Sequence, residues 1–225
     1  MLDRFELLVG KDSISKLESS SVLILGLGGV GSYVVEGLVR SGVSNFILVD
    51  FDKIELTNLN RQVFTDCDNI GNLKVSEVKK RILSINPLCN VITINSFIDS
   101  SNIDELFSYD IDFFVDACDS INTKKLVIDR CISKNIDFIT CMGTGNRLNP
   151  FLLKIVDIRD TSYDPVARII RKHVKDMKYK NKIKCMCSSE IPLKRGNLIG
   201  SSAYVPSCAG LMIASYVIER LINRE

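Results

Sequence analysis

Residues 22–31 read VLILGLGGVG, and this stretch decides the fold. The apolar run at 22–25 is typical of a buried strand, and the glycines after it are typical of a tight turn that opens a helix. Such a turn brings backbone N–H groups and the positive end of a helix to one point, where a phosphate can bind. The sequence therefore predicts a nucleotide-binding turn built on Gly26, Gly28, Gly29 and Gly31.

Strand-like and helix-like segments alternate on either side of this turn. Further strands are predicted at 46–49, 91–94, 113–115 and 138–141, with helices between them at 30–40, 74–85, 102–107 and 122–134. Strands with continuous apolar runs indicate a mainly parallel sheet with helices on both faces. The predicted fold class is therefore α/β, a Rossmann-like doubly wound sheet.

The pattern changes after Pro150. An edge strand is predicted at 151–156, a helix at 164–175, a basic loop at 178–184 and a final helix at 207–221. No internal repeat or low-complexity linker divides the chain. We predict one domain over residues 1–225, with a variable basic segment at about 160–205.

Polar residues follow the predicted strands at one edge of the sheet, where ligands of parallel sheets bind. Asp50 lies 22 residues past Gly28, about the spacing of a carboxylate that binds a ribose hydroxyl. The further candidates for the nucleotide site are Asp52, Asn58, Asn60, Arg61, Gln62, Lys74, Asp119 and Ser120.

Three of these residues are candidates for catalysis. Arg61 and Lys74 could neutralise a triphosphate and its departing pyrophosphate, and Asp119 is a natural Mg²⁺ ligand. Each has a structural alternative. Lys74 could be a solvated helix residue, Arg61 could pair with a nearby aspartate (Asp66 or Asp68), and Asp119 could cap the following helix. An NAD-binding redox enzyme, the competing class, would leave all three without a role.

The overall charge of +2 says little about partners, but its distribution is uneven. Residues 168–184 hold eight Lys and Arg residues and one Asp, a net charge of +7 in a chain that is otherwise acidic. This segment is either a solvated helix face and loop or a landing site for a polyanion. The candidate nucleic-acid contacts are Arg168, Arg171, Lys172, Lys175 and Lys178.

The N-terminal stretch MLDRFELLVGKDS lacks the basic and apolar regions of a signal peptide. The longest apolar stretch, at 208–221, is interrupted by Ser215, Glu219 and Arg220, so no membrane span is predicted. We therefore expect a cytoplasmic protein, in which the eight cysteines need not form disulfides.

Four motifs together resemble the adenylating enzymes of the ubiquitin-activating superfamily, which include the bacterial ThiF, MoeB and HesA proteins. They are GLGGVGS at 26–32, LVDFDKIELTNLNRQ at 48–62, GNLK at 71–74 and VDACDS at 115–120, within a match over about residues 21–144. The resemblance implies ATP and Mg²⁺ as cofactors and a homodimer. It also implies that Gly28 and Gly31 lie against the nucleotide, Asp50 binds ribose, Arg61 and Lys74 contact phosphates, and Asp119 holds Mg²⁺.

Two features depart from the family pattern. Members that activate sulfur carriers commonly hold zinc with two CxxC pairs, whereas the C-terminal third here has Cys185-Met186-Cys187 and Cys208. We therefore expect no zinc site. Many members also carry an N-terminal arginine that reaches the ATP of the partner subunit, and Arg4 is the nearby candidate.

Within the superfamily, the chain looks like the tRNA threonylcarbamoyladenosine dehydratases. Arg4-Phe5, Ser188-Ser189-Glu190 and the stretch at 203–213 fit that subfamily. The resemblance implies an enzyme that uses ATP to adenylate the threonylcarbamoyl carboxylate of a tRNA adenosine and drive its cyclisation. The basic segment agrees with a tRNA substrate. The alternative is an adenylyltransferase for a ubiquitin-like sulfur carrier, and a sulfur-carrier or cysteine-desulfurase partner is a further hypothesis.

Overall fold

Seven strands form one sheet in the computed structural model, which describes residues 1–193, 196 and 198–224. The strands are β1 (Ser21–Leu25), β2 (Asn45–Val49), β3 (Asn90–Ile94), β4 (Phe113–Asp116), β5 (Asp137–Cys141), β6 (Leu153–Asp157) and β7 (Lys184–Ser188). The helices are α1 (Asp3–Val9), α2 (Lys11–Ser19), α3 (Gly31–Arg40), α4 (Lys74–Ile85), α5 (Ile103–Leu106), α6 (Ile121–Lys134), α7 (Pro165–Asp176) and α8 (Tyr204–Ile222).

The strand order, β3-β2-β1-β4-β5-β7-β6, places a crevice beside β1. All neighbouring strands are parallel except β6 and β7, which are antiparallel. The chain runs outward from β1 to β2 and β3 and then returns to β4 on the other side of β1. The connection after β1 therefore leads toward one edge of the sheet and the connection after β4 toward the other. Doubly wound sheets bind ligands at the point between two such connections.

Alternate side chains of the strands enter two apolar layers. Ile24 and Phe46 pack with α3, α4 and α8 on one face of the sheet. Leu23 and Phe114 pack with α5 and α6 on the other face, which α7 extends beside β7. Because both faces are covered, β1 and β2 are apolar and buried after their first residue. The predicted doubly wound α/β fold is confirmed.

Three elements were not predicted from the sequence. Helices α1 and α2 precede β1, and β7 enters the sheet between β5 and β6. The predicted basic loop therefore ends at Lys184, where β7 begins. Parts of the variable basic segment, Lys194, Arg195 and Asn197, lie outside the described residues.

Helix α8 is long and apolar enough to qualify by length and hydropathy as a membrane span. In this fold Val205, Ala209, Ile213 and Val217 lie on one buried side of the helix, in the apolar layer that α3 shares. Packing against α3 is therefore an explanation for the apolar composition of α8 that needs no membrane.

Candidate active site

A cavity of about 530 Å³ lies at the carboxyl ends of β1, β2, β4 and β5. Its lining includes eleven of the predicted site residues: Gly26, Gly28, Gly29, Asp50, Asp52, Asn58, Arg61, Gln62, Lys74, Asp119 and Ser120. Residues about 90 positions apart in the chain meet here because parallel strands end at the same edge. Two predicted residues, Gly31 and Asn60, do not line the cavity.

The glycine turn joins β1 to α3 at the cavity wall. Gly26 has φ of 89°, a conformation that favours glycine, and a Cβ there would lie 2.7 Å from the backbone N of Cys118. A Cβ on Gly31 would collide with the carbonyl oxygen of Gly26, so Gly31 allows the turn to close on itself rather than facing the cavity. Beside Gly28 there is open space instead, with no atom within 4 Å of such a Cβ.

Asp50 is buried at the end of β2 and is held by the backbone on two sides. Its carboxylate accepts hydrogen bonds from the N–H of Leu27 at 2.6 Å and from the N–H of Asp52 at 2.8 Å. Burial raises the pKa of Asp50, against the lowering effect of the Lys74 charge and these hydrogen bonds. The contact with Leu27 ties the carboxylate to the glycine turn.

Lys74, the first residue of α4, is buried and pairs with Asp52 at 2.6 Å. The alternative that Lys74 is a solvated helix residue is therefore wrong. Asp52 is partly exposed, and its carboxylate holds the ammonium group at the cavity wall.

Arg61 and its neighbours form a second polar wall. The guanidinium of Arg61 donates to the carbonyl oxygen of Thr57 at 2.8 Å and to the side chain of Asn60 at 2.9 Å, not to Asp66 or Asp68. Asn60 is exposed and donates to the carbonyl oxygen of Ser201 at 3.0 Å. In this structure Asn60 therefore supports Arg61 and the neighbouring loop rather than lining the cavity.

Two amides of the same segment differ in their surroundings. The side chain of Asn58 accepts from the N–H of Glu55 and so stabilises a short 3₁₀ helix, Leu56–Asn58. Gln62 is 4% exposed, and its Oε1 is the only buried side-chain polar atom without a hydrogen-bond partner among the described residues. Because buried acceptors are almost always paired, this oxygen is suited to a donor group of a bound molecule.

The loop after β4 carries Asp119 and Ser120. Ser120 caps α6 by accepting from the N–H of Thr123 at 3.3 Å, so the alternative that Asp119 is the cap is wrong. Asp119 is exposed and lines the cavity. Its carboxylate is thus available to a ligand at the open side of the cavity.

A buried ion pair that the sequence analysis missed supports this loop. Both oxygens of Asp116 lie 3.1 Å from the Nζ of Lys124, and one of them accepts from Thr140 at 2.6 Å. Burial opposes the charge on Lys124, but the Asp116 carboxylate outweighs it and the pKa of Lys124 is raised. A sequence signal existed, because Lys124 shares a helical face with the apolar residues Val127, Ile128 and Cys131.

The described residues contain no group of three or more His, Cys, Asp and Glu side chains that could hold a metal ion. Cys185 and Cys187 lie in the buried strand β7 and are essentially inaccessible to solvent. The nearby Cys187 thiol and burial raise the pKa of the Cys185 thiol far above its ordinary value, which disfavours the thiolate.

The basic segment begins beside the cavity, because Val166 in the first turn of α7 lines it. Arg168, Lys172 and Lys175 form one exposed row on α7, and Lys178 is exposed beyond it. Arg171 differs from these residues. It is half-buried and donates to the carbonyl and hydroxyl oxygens of Thr161, which makes it a structural residue in this conformation.

Several named proteins match nearly the whole chain. The tRNA threonylcarbamoyladenosine dehydratase of Bacillus subtilis is 34% identical over 98% of this chain and 94% of its own length. The enzyme of the same name from Haemophilus influenzae is 31% identical over 95% of this chain and 90% of its own length. The crystal structure of the Escherichia coli enzyme in complex with ATP superposes with a TM-score of 0.93 at 28% identity, covering 98% and 93% of the two chains.

A sequence profile of the ThiF family matches residues 2–225. The matched residues include the glycine turn, Asp50 at the end of β2, the cavity residues Arg61 and Lys74, and the loop that carries Asp119. On these grounds the chain belongs to the ThiF family.

Proposed function

We propose that this protein is an ATP-dependent dehydratase that adenylates the carboxylate of threonylcarbamoyladenosine in tRNA and drives its cyclisation. The relatives with this name match nearly the whole chain, and the matching structure from E. coli was solved with ATP. The observation that carries the proposal is the cavity itself. It brings a glycine turn, a buried carboxylate and two cations together at the sheet edge.

Residues of the cavity are suited to the phosphates and the ribose of ATP. The backbone N–H groups of Gly28 and Gly29 can bind phosphates, whereas those of Gly26 and Leu27 already donate to Val49 and Asp50. Asp50 can accept hydrogen bonds from ribose hydroxyls. The unpaired oxygen of Gln62 can accept a donor of the nucleotide. Arg61 and Lys74, on two walls of the cavity, can bind the phosphates from two directions.

The proposed reaction has two steps. A carboxylate oxygen of the threonyl group attacks the α-phosphorus of ATP, the bond to the β-phosphate oxygen breaks, and pyrophosphate leaves. A nitrogen or oxygen of the substrate's own carbamoyl group then attacks the activated acyl carbon, AMP leaves, and the ring closes with loss of a proton. Arg61 and Lys74 stabilise the negative charge that builds on the phosphates in the first step.

The metal ion, the assembly and the location of the protein are parts of the same proposal. Asp119 would hold Mg²⁺ together with the phosphates, and the ion would neutralise phosphate charge. We also propose a homodimer, in which the exposed Arg4 on α1 is the candidate to reach the partner subunit's nucleotide. Residues 1–225 would form one adenylating domain that works in the cytoplasm.

An ATP–pyrophosphate exchange assay tests the proposal directly. Adenylation is reversible, so labelled pyrophosphate should enter ATP when purified total tRNA is supplied. A sulfur-carrier protein that ends in Gly-Gly is the comparison substrate. Exchange with the carrier and none with tRNA would replace the proposed function by sulfur-carrier activation.

Because the proposed nucleophile belongs to the substrate, we predict that no cysteine is essential. Replacing Cys185, Cys187 or Cys208 by serine, one at a time, should leave the kcat of folded enzyme on tRNA within about threefold of wild type, since no covalent thiol intermediate forms. Steady-state kinetics on variants with a native circular dichroism spectrum would measure this. Complete loss of activity in any one of them would contradict the prediction.

The same proposal places tRNA phosphates on α7. Replacing Arg168, Lys172 and Lys175 with glutamine should raise the Kd for tRNA. It should also reduce the slope of log affinity against log salt concentration by about two to three, because each phosphate contact contributes roughly 0.7–0.9 to that slope. Arg171 is left unchanged because its contacts with Thr161 are structural.

A matched control removes the same charge elsewhere. Lys11, Lys80 and Lys134 are exposed on other helices, and their replacement by glutamine should leave the salt slope unchanged. Equal losses in the two triple variants would show that total charge, and not α7, attracts the tRNA. An unchanged Kd and an unchanged salt slope in the α7 variant would show that this face of the helix is solvated and does not bind tRNA.

A further inference from the structure

A second buried ion pair lies where the cavity wall meets α7. The guanidinium of Arg147 and the carboxylate of Asp164 are 3.3 Å apart, and both side chains are almost completely inaccessible to solvent. Removing two charges from water is costly, so such a pair persists only where further hydrogen bonds satisfy both groups. Here those hydrogen bonds connect three separate segments of the chain.

Asp164 joins the cavity wall to α7. Its Oδ2 atom accepts from the N–H of Gly143 at 3.1 Å and from Arg147, whereas its Oδ1 atom caps α7 by accepting from the N–H of Ala167 at 2.9 Å. Gly143 lines the cavity. One carboxylate therefore contacts both the wall of the nucleotide cavity and the first turn of the basic helix.

Arg147 completes the junction from the other side. It donates to the carbonyl oxygen of Gly143 at 3.1 Å and to the carbonyl oxygen of Glu190, beyond the end of β7. The carboxylate of Glu190 in turn accepts from the N–H of Leu148 at 3.1 Å and of Asn149 at 3.0 Å. The junction thus holds the backbone at three places, namely Gly143, the segment at 148–149 and the first turn of α7.

The junction sets the position of the exposed cations on α7 relative to the cavity. Val166 lines the cavity, and Arg168 to Lys175 follow at about 3 to 14 Å along the helix axis. If tRNA binds through these cations, the position of the first turn of α7 determines where the reactive carboxylate of the tRNA lies. In-line attack on the α-phosphorus tolerates little displacement, and about 1 Å can cost a hundredfold in rate.

We propose that Arg147 and Asp164 are positioning residues that set the distance between the tRNA-binding face of α7 and the nucleotide cavity. The inference rests on the proposed function. It assigns to the pair a role in catalysis on tRNA but none in ATP binding. Neither residue touches the reacting atoms.

The double substitution Asp164→Asn with Arg147→Gln tests the inference. It leaves no buried charge unpaired, and asparagine still caps α7 because it is as good a capping residue as aspartate. A single asparagine oxygen cannot also bind Gly143, so the link to the wall is lost. Asp160→Asn, an exposed site in the same segment, is the matched control.

The expected result is a split between binding and turnover. The kcat for tRNA should fall by about a hundredfold, while the Kd values of ATP and tRNA stay within about threefold of wild type, because the contacts to both survive and only their distance changes. The single variant Arg147→Lys keeps the positive charge, so its kcat should lie between those of the double variant and the wild type.

Two results would overturn the inference. One is an unchanged kcat, and the other is a loss of ATP affinity as large as the loss of kcat, which would indicate a structural role only. If the wild-type protein itself shows no tRNA-dependent pyrophosphate exchange, the proposed function fails before the inference is tested, so the two failures are distinguishable.

Discussion

Replacement of Asp119 by alanine is expected to lower tRNA-dependent pyrophosphate exchange by about 100-fold or more, because Asp119 is the proposed ligand of the Mg²⁺ that would neutralise phosphate charge. The free energy of unfolding should change by no more than about 0.5 kcal/mol, because Asp119 is exposed. The hydrogen bonds that hold its loop run through Asp116 and Ser120 instead.

Two comparisons sharpen this test. Asp119→Asn keeps the shape of the side chain and loses its charge, so a similar loss of exchange would identify charge as the important property. Asp68→Ala removes an exposed carboxylate outside the cavity and should leave exchange unchanged. Unchanged exchange in Asp119→Ala would exclude Asp119 from the metal role.

Replacement of Lys124 by methionine is expected to have the largest effect on stability, about 3–5 kcal/mol lost from the free energy of unfolding, because the carboxylate of Asp116 would stay buried without its cation. Urea unfolding followed by circular dichroism measures this as a lower midpoint. The double variant Asp116→Asn with Lys124→Met should recover most of the loss, since neither charge is then buried.

This pair of variants separates an ion-pair effect from a packing effect. Lys124 is 2% exposed and Asp116 is fully buried, so solvent cannot replace either partner. A double variant as unstable as Lys124→Met alone would mean that the methionine is poorly packed. A loss below about 1 kcal/mol in the single variant would contradict the prediction, because it would match only an exposed ion pair.

The part of the fold from β1 to β5 could be predicted from the sequence because local and tertiary preferences agree there. Helix α4 was predicted at its observed bounds, since an apolar face runs along it and Asn86-Pro87 ends it. Strand β7 was missed because its apolar core is only Cys185-Met186-Cys187, directly after a basic stretch. Its pairing with β5 and β6 is decided by distant residues and not by local pattern.

The candidate site shows the same limit. Motif spacing predicted the strand ends, the glycine turn and the cations that line the cavity, because those features lie within short stretches of chain. It could not predict that Asp52 pairs with Lys74 or that Arg171 is held by Thr161. The junction of Arg147 and Asp164 was also missed, since a buried pair 17 residues apart leaves no local signal.

The position of β7 between β5 and β6 determines the order in which the sheet can be completed during synthesis. Strands β1 to β5 can pair once residue 141 has left the ribosome. Strand β6 emerges next, before its neighbour in the sheet, β7, has been synthesised. At roughly 5–20 residues per second, about 2–9 s pass before residues 184–188 follow. For that interval the edge of β5 is an open template for pairing with other chains. A nascent chain that stalls before Lys184 therefore exposes a strand edge that the finished protein covers.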